Sequence, residues 1–192
     1  MEKLEANGFF VDESEQARNL FGGKIAFKNF GNGSLDPCQA NHNPPLVYTK
    51  ANICQKYIRS QFGDDTFDES EALKIRLPEP KNLAQYRFFA AAFSSKFFWL
   101  GMYIDEKADC DAQNLKSRKY NFMSGEGEVS WLNEVDPWAP GEPNECGERY
   151  ISSTSEGTAD FEAMRTEPNI ICVYIEKPQN QGMCSPDFVH PN

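Results

Sequence analysis

The chain lacks most of the signals by which a sequence announces a membrane, a nucleic acid or a catalytic centre. No stretch approaches the roughly 20 apolar residues of a membrane span; the longest, Phe88–Met102, is broken by Ser94, Ser95 and Lys96. Basic residues are outnumbered, 19 Lys and Arg against 29 Asp and Glu, and a formal charge of −10 repels a phosphate backbone, so nucleic acid is not an expected partner. Histidine is scarce. His42 and His190 both fall in loop-like stretches, and no Ser or Cys nucleophile stands in an elbow or dyad context, which leaves little general-base or nucleophilic machinery to assemble. Binding rather than catalysis is the expectation. Cys-x-x-Cys pairs are missing, which argues against zinc sites and thioredoxin-type chemistry. Residues 1–20 carry no basic start followed by an apolar run, so export has to be inferred from the cysteines. There is no internal repeat.

What is present fits one domain with a substantial core: 192 residues, 40% hydrophobic and 13% aromatic, a content that argues against disorder. Excess acid gives solubility, and it also supplies the hard oxygen donors that calcium requires. Cys38, Cys54, Cys110, Cys146, Cys172 and Cys184 are even in number and widely spaced, as expected of three disulfides formed in an oxidising, extracellular compartment. Asn32-Gly33-Ser34 matches an N-glycosylation acceptor in a Gly/Asn-rich turn.

Along the chain, residues 1–45 are rich in Gly, Asn, Pro and charge and read as an irregular extension with one or two strands, packed on a domain spanning 46–177; residues 178–192 form a tail. From Tyr48 to Phe62, Ala51, Cys54, Ile58 and Phe62 recur at helical spacing, with Thr49 as N-cap and Gly63 as terminator. Asp64–Ser70 is an acidic loop. A second helix fits Asn82–Phe93, where Leu83, Tyr86, Phe89 and Phe93 share a face after the breaks at Pro78 and Pro80. Phe97–Ile104 reads as a buried strand. Asp105–Asn144 shows no sustained periodicity and has Trp131 and Trp138 as its large anchors, so it reads as a long loop of the kind that carries function. Arg149–Ser152 and Ile170–Ile175 complete the strands, the latter with the β-branched density of a central one. Helices first and strands later give an α+β class. Trp99, Trp131 and Trp138 are expected in the core, and Met164 as core filler.

In this order, Trp99-Leu100-Gly101-Met102, Trp138-Ala139-Pro140-Gly141-Glu142-Pro143-Asn144 and Ile171-Cys172 resemble the motifs of the C-type lectin-like domain, with a match covering Tyr48–Glu176. The resemblance implies two helices flanking antiparallel sheets, a long irregular loop, and a disulfide between Cys54 and Cys172. Counting back from Cys172, the two positions of the family's second disulfide fall on Tyr150 and Met164, so both partners are lost together. Cys38, Cys110, Cys146 and Cys184 allow three pairings, of which Cys110–Cys146, pinning the long loop, with Cys38–Cys184 tying the termini, is the expectation.

The resemblance further implies a calcium site at the rim of the domain. Glu142 and Asn144 are its first ligands, joined by a cis Glu142–Pro143 bond; Glu148 is the third, and Asp160 stands where the family has Asn in its Trp-Asn-Asp motif. Ala159-Asp160-Phe161 departs from that motif, replacing the family Asp by Phe161, with Glu162 as a substitute ligand or Phe161 as an apolar platform for a sugar ring. The acid-then-amide order of Glu142 and Asn144 implies a mannose-type preference covering mannose, fucose and N-acetylglucosamine, because exchanging acid and amide reverses the donors and acceptors offered to two hydroxyls. Useful avidity then requires several copies, as a homo-oligomer or in a larger assembly. The alternative is a lectin-like module without sugar binding that contacts extracellular protein, matrix, mineral or ice.

Overall fold

The structure is a computed structural model of the chain, and it describes residues 1–33, 35, 53–63, 66–67, 74–104, 115–162 and 165–176. It opens with helix α1 (Glu2–Ala6), strand β1 (Phe10–Asp12), helix α2 (Glu15–Phe21) and strand β2 (Lys24–Asn32). Ser14 caps α2, its Oγ accepting the Ala17 N–H at 3.1 Å, and Gly22 ends it in the left-handed region at φ 73°. The one or two strands expected in the lead-in are present as β1 and β2, and its expected irregularity is corrected over residues 1–33 by the two helices between and before them. Its periodicity is hard to read because β2 is covered on both faces. Ile25 and Phe27 pack into one apolar cluster and Ala26 and Phe30 into another, while Lys24 and Lys28 share the face of Ala26 and Phe30 and Asn29 that of Ile25 and Phe27, so neither face reads as purely polar or purely apolar.

Helix α3 (Ile53–Phe62) stops at Gly63, φ 84°, whose N–H donates to the Arg59 carbonyl at 2.9 Å. Residues 48–52, which carry the expected start of this helix and its Thr49 cap, lie outside the described residues, as do most of Asp64–Ser70. Helix α4 (Leu83–Ala92) follows the Pro78/Pro80 breaks. The expected helix Asn82–Phe93 is present with those two residues as its caps, Asn82 Oδ1 accepting the Gln85 N–H at 2.9 Å. Strand β3 (Phe98–Tyr103) is buried throughout except at Tyr103. The expected featureless stretch 105–144 is corrected in its described part. It holds a 3-10 turn (Leu115–Ser117), β4 (Tyr120–Phe122), β5 (Glu128–Val129) and α5 (Trp131–Val135), each too short for a 2.0 or 3.6 repeat to show. Strands β6 (Tyr150–Ser153), β7 (Thr158–Phe161) and β8 (Asn169–Glu176) close the fold.

Together these make a mixed α+β structure on an eight-stranded sheet ordered β1-β2-β8-β3-β4-β5, with β6 joined to β3 and β7 to β6. Strand alternation sorts the core into two clusters. Phe98, Leu100 and Met102 of β3 and Ile171 and Val173 of β8 face α2 and α4. Trp99, Ile170 and Cys172 face α3. Cys54 on α3 is bonded to Cys172 on β8 across 118 residues, so the helix is stapled to a central strand of the sheet. All three tryptophans are buried, and Trp99 and Trp131 satisfy their indole N–H groups on the carbonyls of Gly33 and Pro80, both at 2.7 Å. Gly33 leaves no room for a side chain unless its neighbours shift. A Cβ there would lie 2.2 Å from the Tyr57 hydroxyl and 2.9 Å from Ile170.

Candidate metal centre

The β6–β7 hairpin carries the first parts of the site. Its register pairs Ile151 with Asp160 and Tyr150 with Phe161. At its turn, Gly157 adopts φ 148° and lies so close to the preceding segment that a Cβ would stand 2.5 Å from the Pro137 carbonyl oxygen. That approach lets Thr158 donate its N–H to Pro137 O at 2.9 Å and accept from Ala139 N at 2.8 Å, laying the Trp138 segment beside β7. Trp138 is buried against Tyr120, ring centroids 5.6 Å apart, and fixes the segment from below. Gly141-Glu142-Pro143-Asn144 is thereby delivered over Asp160, with the Glu142–Pro143 bond cis. The Asn144 N–H donates to Asp160 Oδ1 at 3.2 Å and its side-chain amide to Glu142 Oε1 at 3.0 Å.

Glu142, Glu148 and Asp160 each offer a carboxylate oxygen within 4.8 Å of the others. Oxygens bound to one calcium at about 2.3–2.6 Å can be at most about 5 Å apart, so the spread fits a single ion. Asp160 is completely buried, Glu148 is 9% exposed and Glu142 is half-buried. At an effective dielectric constant of about 20, two full charges 4.8 Å apart repel by about 3.5 kcal/mol, enough that three such carboxylates demand a proton or a cation between them. The acidities agree: burial first, then a hydrogen bond with Glu142, pushes the Asp160 carboxyl up to about 7, against the pull of the Asn144 N–H. Glu148 is raised by burial and by the charges of Glu142 and Glu145. With Asp160 ionised, Glu142 Oε2 and Glu148 Oε2 are both buried without a hydrogen-bond donor, and the Tyr120 hydroxyl is buried and unpartnered as well. Burial and the neighbouring Asp160 hold the Tyr120 phenol well above its ordinary range. Buried carboxylate oxygens without donors are costly, and they are the atoms a cation would satisfy.

One cation is already built in. Arg118, almost wholly buried, donates from Nη1 to Asp160 Oδ2 at 3.3 Å and to the Glu145 carbonyl at 3.1 Å, and from Nη2 to the Cys146 carbonyl at 3.2 Å. It balances one of three negative charges and ties the 142–148 loop to β7. Nothing local in Ser117-Arg118-Lys119 marks this role. The available signal is the global requirement that buried carboxylates find a counter-charge.

Of the residues expected at the site, Glu142, Asn144, Glu148 and Asp160 are brought together, and Phe161 is not. As the next residue in a strand it points to the opposite face from Asp160, packing against Phe97 and Trp99 with ring centroids 5.6 and 6.3 Å away. Glu162 is exposed and is not one of the three converging carboxylates. The Cys54–Cys172 bond is present, and Cys146 is disulfide-bonded; Cys38, Cys110 and Cys184 lie outside the described residues, as does Met164. No family model matches the chain, and a search of curated proteins gives no match either.

Proposed function

We propose that this protein is an extracellular C-type lectin-like binding domain, not an enzyme, whose rim site holds calcium and through it a mannose-type glycan. Glu142, Glu148 and Asp160 would hold the ion, with Asn144 supplying its amide oxygen once the amide turns from Glu142. The single observation that carries the reading is the convergence of three carboxylates, two of them with a buried oxygen that has no donor. Bound calcium supplies positive charge and open coordination positions for a pair of vicinal hydroxyls. Asn144 and Glu142, the most exposed members, would donate to and accept from those hydroxyls.

The test is calcium titration by calorimetry, followed by retention on immobilised mannose with and without chelator. Wild type should bind calcium and be retained only in its presence; Glu142→Gln should lose both. Wild type that binds no calcium at millimolar concentration sinks the proposal. One observation favours the alternative, a lectin-like interaction module without sugar binding: Asp160 is fully buried and already engaged by Arg118 and the Asn144 N–H. Calcium binding without sugar retention would select it.

A further inference from the structure

Three carboxylates that all serve as ligands give the rim site three negative charges, and Glu142, Glu148 and Asp160 converge within 4.8 Å. Arg118 changes that count. Its guanidinium lies 3.3 Å from Asp160 Oδ2 with the side chain only 6% exposed, so the ionised site and its built-in cation together carry a charge of −2. The positive charge is permanent, because an arginine does not deprotonate in a protein. It is also held in place: leaving the site would break the hydrogen bonds to Asp160 and to the carbonyls of Glu145 and Cys146.

Further charges act from outside. Glu145, Glu162 and Arg165 reach Glu148, but all three are exposed, and Arg165 is paired with Glu167 at 3.4 Å. Water and salt screen such charges, whereas Arg118 acts through the protein interior. A cation on Asp160 would share that carboxylate with Arg118. At an effective dielectric constant of about 20, like charges one carboxylate apart cost about tenfold or more in affinity for every unit of charge the cation carries. The cost grows with valence, and so it separates ions that have the same size and the same preference for oxygen.

We propose that Arg118 sets the metal specificity of this site: it is a buried counter-charge that matches Glu142, Glu148 and Asp160 to one divalent cation and discriminates against trivalent ones. The assignment rests on the calcium reading of those three carboxylates. One calcium then brings the site to neutrality and leaves no charge to hold a second.

The probes are calcium and lanthanum, hard cations of similar size that differ by one charge, titrated by calorimetry at pH 7.5 into the full chain and its variants. Wild type should bind both. The lanthanum-to-calcium affinity ratio should rise about tenfold or more in Arg118→Met and Arg118→Gln. It should stay near the wild-type ratio in Arg118→Lys, which keeps the charge and loses the planar fork. A purely structural role would weaken both ions together in all three variants and leave the ratio alone. Asn144→Asp, at an exposed position that leaves the buried clamp intact, also adds one negative charge to the site and should raise the ratio in the same direction, which keeps the test open if the Arg118 variants do not fold. A ratio unmoved in Arg118→Met and Arg118→Gln, unmoved in Asn144→Asp, or moved as far in Arg118→Lys overturns the assignment, while calcium binding by wild type would still support the calcium reading. Wild type that binds neither ion overturns both.

Discussion

Replacing Arg118 with Met tests whether the site is an electrostatic balance or a set of independent contacts. The substitution keeps most of the side-chain volume and removes three hydrogen bonds, one to Asp160 and two to the carbonyls of Glu145 and Cys146. Asp160 is wholly buried, and its carboxyl is raised from 3.8 to about 7. For a carboxyl raised by folding, stability is full below the ordinary value and falls as pH climbs toward the folded value, by about 1.4 kcal/mol per pH unit. In wild type that loss ends near pH 7. Without Arg118 the folded value moves higher still, so the loss continues. Below pH 6.5 the variant should therefore be destabilised by a constant ~1–3 kcal/mol from the lost hydrogen bonds. Between pH 7 and 8.5 the gap should widen by about 2 kcal/mol, or about 4–8 °C in Tm for a chain of this size. Thermal unfolding in chelator at pH 6 and 8.5 reads both numbers, and Arg118→Met/Asp160→Asn should remove the pH-dependent part. A gap of the same size at both pH values would refute the argument that Arg118 balances a buried charge.

Other outcomes follow from the same geometry. Calcium affinity should fall as pH drops below about 7, by up to about tenfold per pH unit, because Asp160 must give up its proton to serve as a ligand; calorimetry in buffers of different ionisation enthalpy should detect that proton. Cys54→Ser/Cys172→Ser, which opens a link of 118 residues, should cost about 4–5 kcal/mol in denaturant unfolding on the chain-entropy account. Gly33→Ala, with its new methyl 2.2 Å from the Tyr57 hydroxyl, should cost about 1–3 kcal/mol, part of which Tyr57→Phe restores by removing the obstructing atom.

The legible parts of the fold were those with a local chemical signature. Helix α4 begins just after two prolines, β3 and β8 are dense in aromatic and β-branched residues, and α3 ends where Gly63 takes a positive φ. Strand β2 lacked such a signature because apolar and polar residues share both of its faces, which erases the clean alternation of a one-sided strand. The elements between Leu115 and Val135 were hidden by brevity. At the site, Glu142, Asn144, Glu148 and Asp160 could be named because they sit in a recognisable motif or at a fixed count from Cys172. Arg118 could not, since its partners are 27, 28 and 42 residues away in sequence and meet it only through packing. Phe161 misled for the opposite reason: adjacency to Asp160 in sequence means opposite faces in a strand.

The antiparallel pairing of Lys24–Asn29 with Ile171–Glu176 has a practical bearing on how the molecule can be trimmed. A cut that began the chain at residue 46 would strip β8 of its long neighbour and bare the apolar side chains that Phe21, Ile25 and Phe27 now cover. Such a fragment would offer a sticky strand to its own copies. The first thirty-odd residues act as a sleeve over the heart of the sheet, and the shortest soluble version of the protein has to keep them.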